Sequence, residues 1–181
     1  MEQVAWQKEM KIAEYEAVKN TAADFMNRMT DKNNCIIFYD KQLEELMYQE
    51  SQTTLPAADL SSGFQSLIWM VFDIAYRMAL LNPHKKEAIA NTAGIVLIDE
   101  LDMHLHPRWQ WKVIDALWSV FPNVQFIATT HAPILFASAK DVQIIDIANR
   151  EPEYRYSHYG IDLNPSINIR KPVKCQRKSK R

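Results

Sequence analysis

Asp99 and Glu100 close the run Ile95-Val96-Leu97-Ile98-Asp99-Glu100, and His131 follows a second apolar run in Ile127-Ala128-Thr129-Thr130-His131. Adjacent carboxylates at the end of an apolar strand suit two tasks. One holds a divalent cation or its water shell, and the other takes a proton from an attacking water. An imidazole at a neighbouring strand end converges on the same place if the two strands are adjacent. The plainer reading of the two acids is that they leave the core and face water. Between the runs lies Asp102-Met103-His104-Leu105-His106-Pro107. On an extended segment both imidazoles fall on one side, a spacing that metal sites use. Asp99, Asp102, His104, His106 and His131 therefore form a rival set, that of a metal-dependent hydrolase or nuclease.

The elements that must position these groups follow from the surrounding pattern. GIVLID reads as a strand, PRWQWKVIDALWSVF as a helix with Pro107 in its first turn, and NVQFIAT as a strand. APILFAS is then a short helix and DVQIIDI a further strand. Continuous β-branched runs alternating with helices predict parallel strands buried on both faces, an α/β arrangement in which ligands bind beyond the carboxyl ends of the strands. Upstream, Trp6, Met10, Ala13, Ala17, Phe25 and Met29 recur at helical spacing and predict an amphipathic helix from Val4 to about Met29. CIIFYD is strand-like; LEELMYQ fits either a helix or the second arm of a hairpin. Ser61 or Ser62 is a natural N-cap for an apolar helix running to Leu81, and NPHKKEAIANTA is a polar connection or a short surface helix.

A chain of 181 residues, 48% hydrophobic and 24% charged, holds one domain with a substantial core. Its formal net charge of −1 argues against a nucleic-acid binder that works by overall charge. A basic stretch, Arg170 to Arg181, reads as a solvated tail, or as an arm for nucleic acid or an acidic partner. Cys35 and Cys175 form neither a disulfide framework nor a metal spacing, which fits a reducing cytoplasm. No run approaches the ~18 consecutive apolar residues of a membrane span, and the amino terminus lacks a signal-peptide core, so a cytoplasmic protein with no membrane partner is expected. Trp109 and Trp111 beside Arg108 offer a docking face for a non-catalytic interaction module. Core packing accounts for the stripe Trp111, Val113, Ile114, Leu117 and Trp118, and for Trp69, Met70, Phe72 and Met78 on the preceding helix.

IVLIDE resembles the Walker B motif of the ABC-type ATPases, the class that includes SMC and Rad50-like proteins and the OLD and RecF-like families. DLSSGFQS resembles their signature motif and IATTHAP their switch-histidine loop, in the right order. DELDMHLHPRWQ is similar to the acidic strand end that runs into LHP in bacterial AAA-type ATP-binding proteins, common in defence and toxin-like modules. The resemblance covers about Leu60 to Ile147. It implies the parallel-sheet core of the C-terminal half of an ABC-type P-loop ATPase, flanked by helices and preceded by an N-terminal helix and hairpin. Residues 1–59 would lead into the signature, 60–150 would form the ATPase lobe, and 151–181 a C-terminal extension with a disordered basic tail. The implied cofactors are ATP and Mg2+. Asp99 would bind the Mg2+ shell, Glu100 would act as general base, and His131 would contact the γ-phosphate and hold the water. Ser61, Ser62 and Gly63 form the signature turn, with Gln65 beside them. In this class the signature meets ATP on the opposite subunit, which implies a composite site in a homodimer or hetero-assembly, coupled to an effector such as a nuclease or toxin. The chain departs from the pattern at Ser62, Phe64 and His106. Leu105-His106 stands where a Leu-Asp pair is usual, and Asp102 is the carboxylate left to take part of that role.

A P-loop needs G-x-x-x-x-G-K-[ST], whose backbone wraps the phosphates and whose lysine neutralises them. The chain has three glycines, Gly63, Gly94 and Gly160, and none precedes a lysine. It therefore resembles the second half of an ATPase: a fragment, a truncated product, or a split subunit completed by another chain. The expected partner is an N-terminal ATPase lobe that carries Walker A, and the 181-residue chain alone is expected to bind ATP weakly or not at all.

Overall fold

The structure, a computed structural model, describes residues 12–138, 142–146 and 153–156. Helix α1, Ile12–Thr30, buries Ala17, Val18, Ala22, Phe25, Met26 and Met29, a stripe repeating every three to four residues. The start expected near Val4, with Trp6 and Met10, lies outside the described residues.

Asn27 Oδ1 accepts the Cys35 N–H at 2.9 Å and so joins α1 to strand β1, Cys35–Asp40. Asp40 Oδ1 accepts the N–H groups of Gln42 and Leu43, at 2.8 and 3.1 Å, and turns the chain into β2, Glu45–Glu50. The hairpin is thus the realised arrangement, and it gains a third strand, β3, Thr53–Pro56, to give an antiparallel sheet in the order β1-β2-β3. A short 3-10 turn, Ala57–Asp59, leads into α2, Ser62–Leu81.

Among the described residues α2 is the one helix long and apolar enough to cross a membrane. Here Leu67, Ile68, Val71, Phe72, Ala75 and Ala79 are buried and share one hydrophobic cluster with α1. Trp69, assigned to the core by its sequence neighbourhood, is instead half-exposed at 47%, because it stands across the helix from that stripe. The polar connection after α2 folds as a 3-10 segment, Lys86–Asn91, anchored by the buried Ile89.

Strand β4, Gly94–Ile98, pairs in parallel with β5, Val124–Ala128, so that Ile98 stands beside Ala128. The connection between them is two helices, α3, Pro107–Gln110, and α4, Val113–Val120. The single long helix expected here breaks at Trp111 and Lys112, which leaves Trp111 half-exposed while Val113, Ala116, Leu117 and Val120 are buried. Helix α5, Pro133–Ser138, follows β5.

Two expectations about the sheet are corrected. DVQIIDI does not add a third parallel strand: β6, Gln143–Asp146, pairs antiparallel with β7, Glu153–Tyr156, placing Ile145 opposite Tyr154. Gln143 and Ile145 are exposed while Ile144 is partly covered, the alternation of a strand packed on one face. Strand β7 lies beyond the expected boundary at residue 150, within the C-terminal extension; the basic tail, Arg170 to Arg181, lies outside the described residues. Nor are β4 and β5 buried on both faces. Val96, Ile98 and Phe126 pack against the core, whereas Ile95, Leu97 and Ile127 are 67%, 75% and 50% exposed. The register puts Leu97 beside Ile127, so these side chains form one apolar face that no described element covers.

Candidate functional site

The ends of β4 and β5 bring the sequence-predicted groups together. The ladder continues one step beyond both strands, because the Thr129 N–H donates to the Ile98 carbonyl and the Leu101 N–H to the Thr129 carbonyl, each at 3.0 Å. Asp99 and Glu100 are bracketed between those two bonds. The Thr129 hydroxyl donates to Asp99 Oδ1 at 2.6 Å and accepts the Glu100 N–H at 2.8 Å. Glu100 has a φ of 52°, which turns the chain sharply away from the strand direction. That backbone costs about 1 kcal/mol for a residue with a Cβ. The bond to Thr129 helps to hold it.

Asp102 lies one turn further on and faces the histidine loop. Its Oδ1 accepts a short hydrogen bond from the Thr130 hydroxyl and another from the His131 N–H at 3.2 Å. Thr130 Oγ1 in turn accepts the Ala132 N–H at 3.0 Å. The backbone that carries His131 is therefore pinned to the loop after the acidic pair. Asp99, Glu100 and His131 are all exposed, on an open surface where an anionic ligand and a hydrated cation can reach them. Asp99 Oδ2 takes no hydrogen bond from the described residues, which leaves a hard oxygen suited to Mg2+, a cation that prefers one or two carboxylates together with phosphate oxygens.

Ser61, Ser62, Gly63 and Gln65 lie at the amino end of α2 and are not part of that strand-end cluster. Ser61 is the N-cap, but its hydroxyl makes no capping bond; its carbonyl accepts the Gln65 N–H at 3.0 Å. The Gln65 amide donates to the carbonyls of Ala58 and Leu60, both at 2.7 Å, which fixes the turn entering the helix. Gly63 is buried against the loop that leaves the acidic pair. A Cβ there would stand 2.6 Å from the His104 carbonyl oxygen and 3.3 Å from Trp109 Cζ3. Trp109 also meets Phe64 edge-on, with ring centroids 4.4 Å apart. The SSGF turn is thus packed on the loop between β4 and α3.

The rival metal set is not assembled. Among the described residues no group of three or more His, Cys, Asp or Glu side chains is placed to share a metal ion. His106 caps α3, its Nδ1 accepting the Arg108 N–H at 3.2 Å, and His104 is an exposed loop residue with a φ of 62°. The HLHP pattern is explained by a cap followed by proline at the first helical position.

Thr129 and Thr130 were missed by the reading of acids and imidazoles. Their signal was present in IATTHAP: two hydroxyl residues just beyond an apolar strand, opposite carboxylates at the end of another.

A parallel strand pair ending in Asp-Glu and Thr-Thr-His, with an apolar helix entered through Ser-Ser-Gly packed beside it, is the architecture of an ABC-type ATPase lobe. A family model for the AAA ATPase domain matches residues 5–136, and the chain belongs to that family. It is 43% identical over 107 residues to the Retron Vc95 probable ATPase of Vibrio cholerae serotype O1 biovar El Tor, covering 59% of this chain and 20% of that protein. It is 36% identical over 134 residues to the Septu protein PtuA of Bacillus mycoides (strain KBAB4), covering 74% of this chain and 18% of that protein. The chain thus spans about a fifth of the length of these relatives. Among solved structures, one from work on ATP-driven dimerization and DNA-stimulated activation of SMC ATPases superposes with a TM-score of 0.55. That match has 16% identity and covers 78% of this chain and 84% of the other, a likeness of fold.

Proposed function

We propose that this domain supplies the hydrolytic part of an Mg2+-dependent ATPase whose nucleotide state controls a partner effector in a defence-type module. The observation that carries the reading is the convergence of Asp99, Glu100 and His131 on the ends of two adjacent parallel strands, tied together through Thr129 and Asp102. Asp99 would hold the cation through its free carboxylate oxygen, and Glu100 would polarise the attacking water and take its proton. His131 would hold that water against the terminal phosphate. Bound Mg2+ supplies charge neutralisation on the phosphate oxygens. The carboxylate and imidazole provide positioning and proton transfer.

The relatives support the setting: one is named a retron probable ATPase and another a Septu protein. The face of β4 and β5 that no described element covers supports the need for a further ATPase lobe, because parallel sheets are stable when both faces are packed. We assign that face to the lobe carrying Walker A. The backbone N–H groups of Ser62 and Gly63, at the amino end of a 20-residue helix, suit the phosphates of ATP bound to an opposing subunit. Residues 60–150 form the lobe in this scheme.

The test is Glu100→Gln in the protein completed by a Walker A segment. Removing the general base should lower hydrolysis by about 100-fold or more while nucleotide-dependent association persists. An unchanged hydrolysis rate would refute the assignment.

A further inference from the structure

We propose that Thr129 is a positioning residue for hydrolysis, its single hydroxyl setting both the cation-binding carboxylate and the water-polarising residue. This rests on the roles proposed for Asp99 and Glu100. A hydroxyl has one proton to donate and two lone pairs. Thr129 gives the proton to Asp99 Oδ1 at 2.6 Å and offers a lone pair to the Glu100 N–H at 2.8 Å. The first bond occupies one carboxylate oxygen and fixes the rotation of the group, so that Oδ2 is presented for the cation. The second holds the Glu100 peptide in its left-handed conformation, φ 52°, from which the side chain leaves the strand. The Thr129 main chain is itself bonded on both sides, to Ile98 and Leu101 at 3.0 Å, so the hydroxyl is mounted on β5 and moves with it. His131 stands two residues further along the same segment. A shift of that segment therefore displaces the imidazole, the cation-binding carboxylate and the base together.

The variants that test this are Thr129→Val, which keeps the branched shape and removes the hydroxyl, and Thr129→Ser, which keeps the hydroxyl. In the 181-residue chain, Thr129→Val should speed amide hydrogen exchange at Glu100 by about tenfold, the effect of losing one hydrogen bond. Exchange at Thr129 and Leu101 should be unchanged, because their bonds are backbone to backbone. Thr129→Ser should restore slow exchange at Glu100. In the protein completed by a Walker A segment, Thr129→Val should raise the Mg2+ concentration for half-maximal hydrolysis about tenfold, beyond any fall in kcat, with Thr129→Ser near the parent. If Thr129→Val leaves both Glu100 exchange and Mg2+ dependence unmoved while Glu100→Gln abolishes hydrolysis, the positioning role is overturned and the functional assignment stands. Faster exchange at Leu101 and Thr129 in step with Glu100 overturns it in favour of general loosening of the ladder. If Glu100→Gln leaves hydrolysis intact, the functional assignment falls and the role in hydrolysis falls with it; Glu100 exchange then reports only whether the hydroxyl holds that peptide.

Discussion

Replacing Gly63 with alanine should destabilise the protein, against the usual direction for a glycine in a helix. In an exposed helix interior the substitution gains about 1 kcal/mol from reduced backbone entropy. At Gly63 the new Cβ would lie 2.6 Å from the His104 carbonyl oxygen, well inside contact distance, with Trp109 Cζ3 at 3.3 Å on another side. The obstacle is backbone, and it is held: His104 sits at φ 62°, and the next residue's N–H, that of Leu105, donates to the Asp102 carbonyl at 3.0 Å. Relief requires α2 and the loop to separate, and because the obstacle is backbone at 2.6 Å the overpacking cost falls in the upper part of the usual range, about 2–3 kcal/mol. After the gain in helix propensity, a net loss of about 1–2 kcal/mol remains, or a fall in Tm of roughly 3–6 °C. Gly94 is the internal control, because a Cβ there meets nothing within 4 Å. Gly94→Ala should stay within about 0.5 kcal/mol of the parent. Urea unfolding of both variants, followed by far-UV circular dichroism, measures the difference. A midpoint for Gly63→Ala at or above the parent's would show that the contact between the SSGF turn and the loop after Glu100 is not the tight one described.

Burial pushes the Cys35 thiol up to about 11 from an ordinary value of 9.0, so at pH 8 it should stay protonated and react with iodoacetamide far more slowly than in the urea-unfolded chain. A folded-state pKa above the unfolded one means that the contribution to stability is complete below pH 9 and is lost as the pH rises through about 11. Equal alkylation rates in the two states, or a flat stability profile for this group judged against Cys35→Ala, would contradict it. Leu97→Lys should change the stability of the 181-residue chain by no more than about 0.5 kcal/mol, because the side chain is 75% exposed, yet it should block association with a Walker A lobe. Unfolding midpoints and a pull-down with that lobe check the two halves separately, and unimpaired association would remove β4 from the proposed interface.

Much of the site was legible in local pattern. An apolar run ending in Asp99-Glu100 and another ending in Thr129-Thr130-His131 carry their own strand ends, because side-chain hydrophobicity stops where the strand leaves the core. The helix of residues 62–81 was equally plain from its composition. What local pattern could not supply was the partner of each polar group. In sequence Asp102 is a carboxylate with no evident partner, whereas in the fold it engages Thr130 and the His131 N–H, 28 and 29 residues away. His104 and His106 looked like a ligand pair because spacing says nothing about φ, and a φ of 62° at His104 together with the cap made by His106 separates their tasks.

The amino-acid sequence by itself determined the element types around the site, the identity of the acidic and imidazole groups, and the absence of a glycine-lysine phosphate loop within these 181 residues. Those properties are local, set by short-range propensity and by which side chains can leave a core. Tertiary structure alone decided that β6 pairs with β7 rather than extending the parallel pair, and that Ile95, Leu97 and Ile127 form an apolar face that no described element covers. It also decided that Thr129 joins Asp99 to Glu100 and that Gly63 lies against His104. The reason is that strand pairing and close backbone approach depend on which distant segments arrive beside one another, and a run of branched apolar residues is compatible with a strand covered on one face or on two.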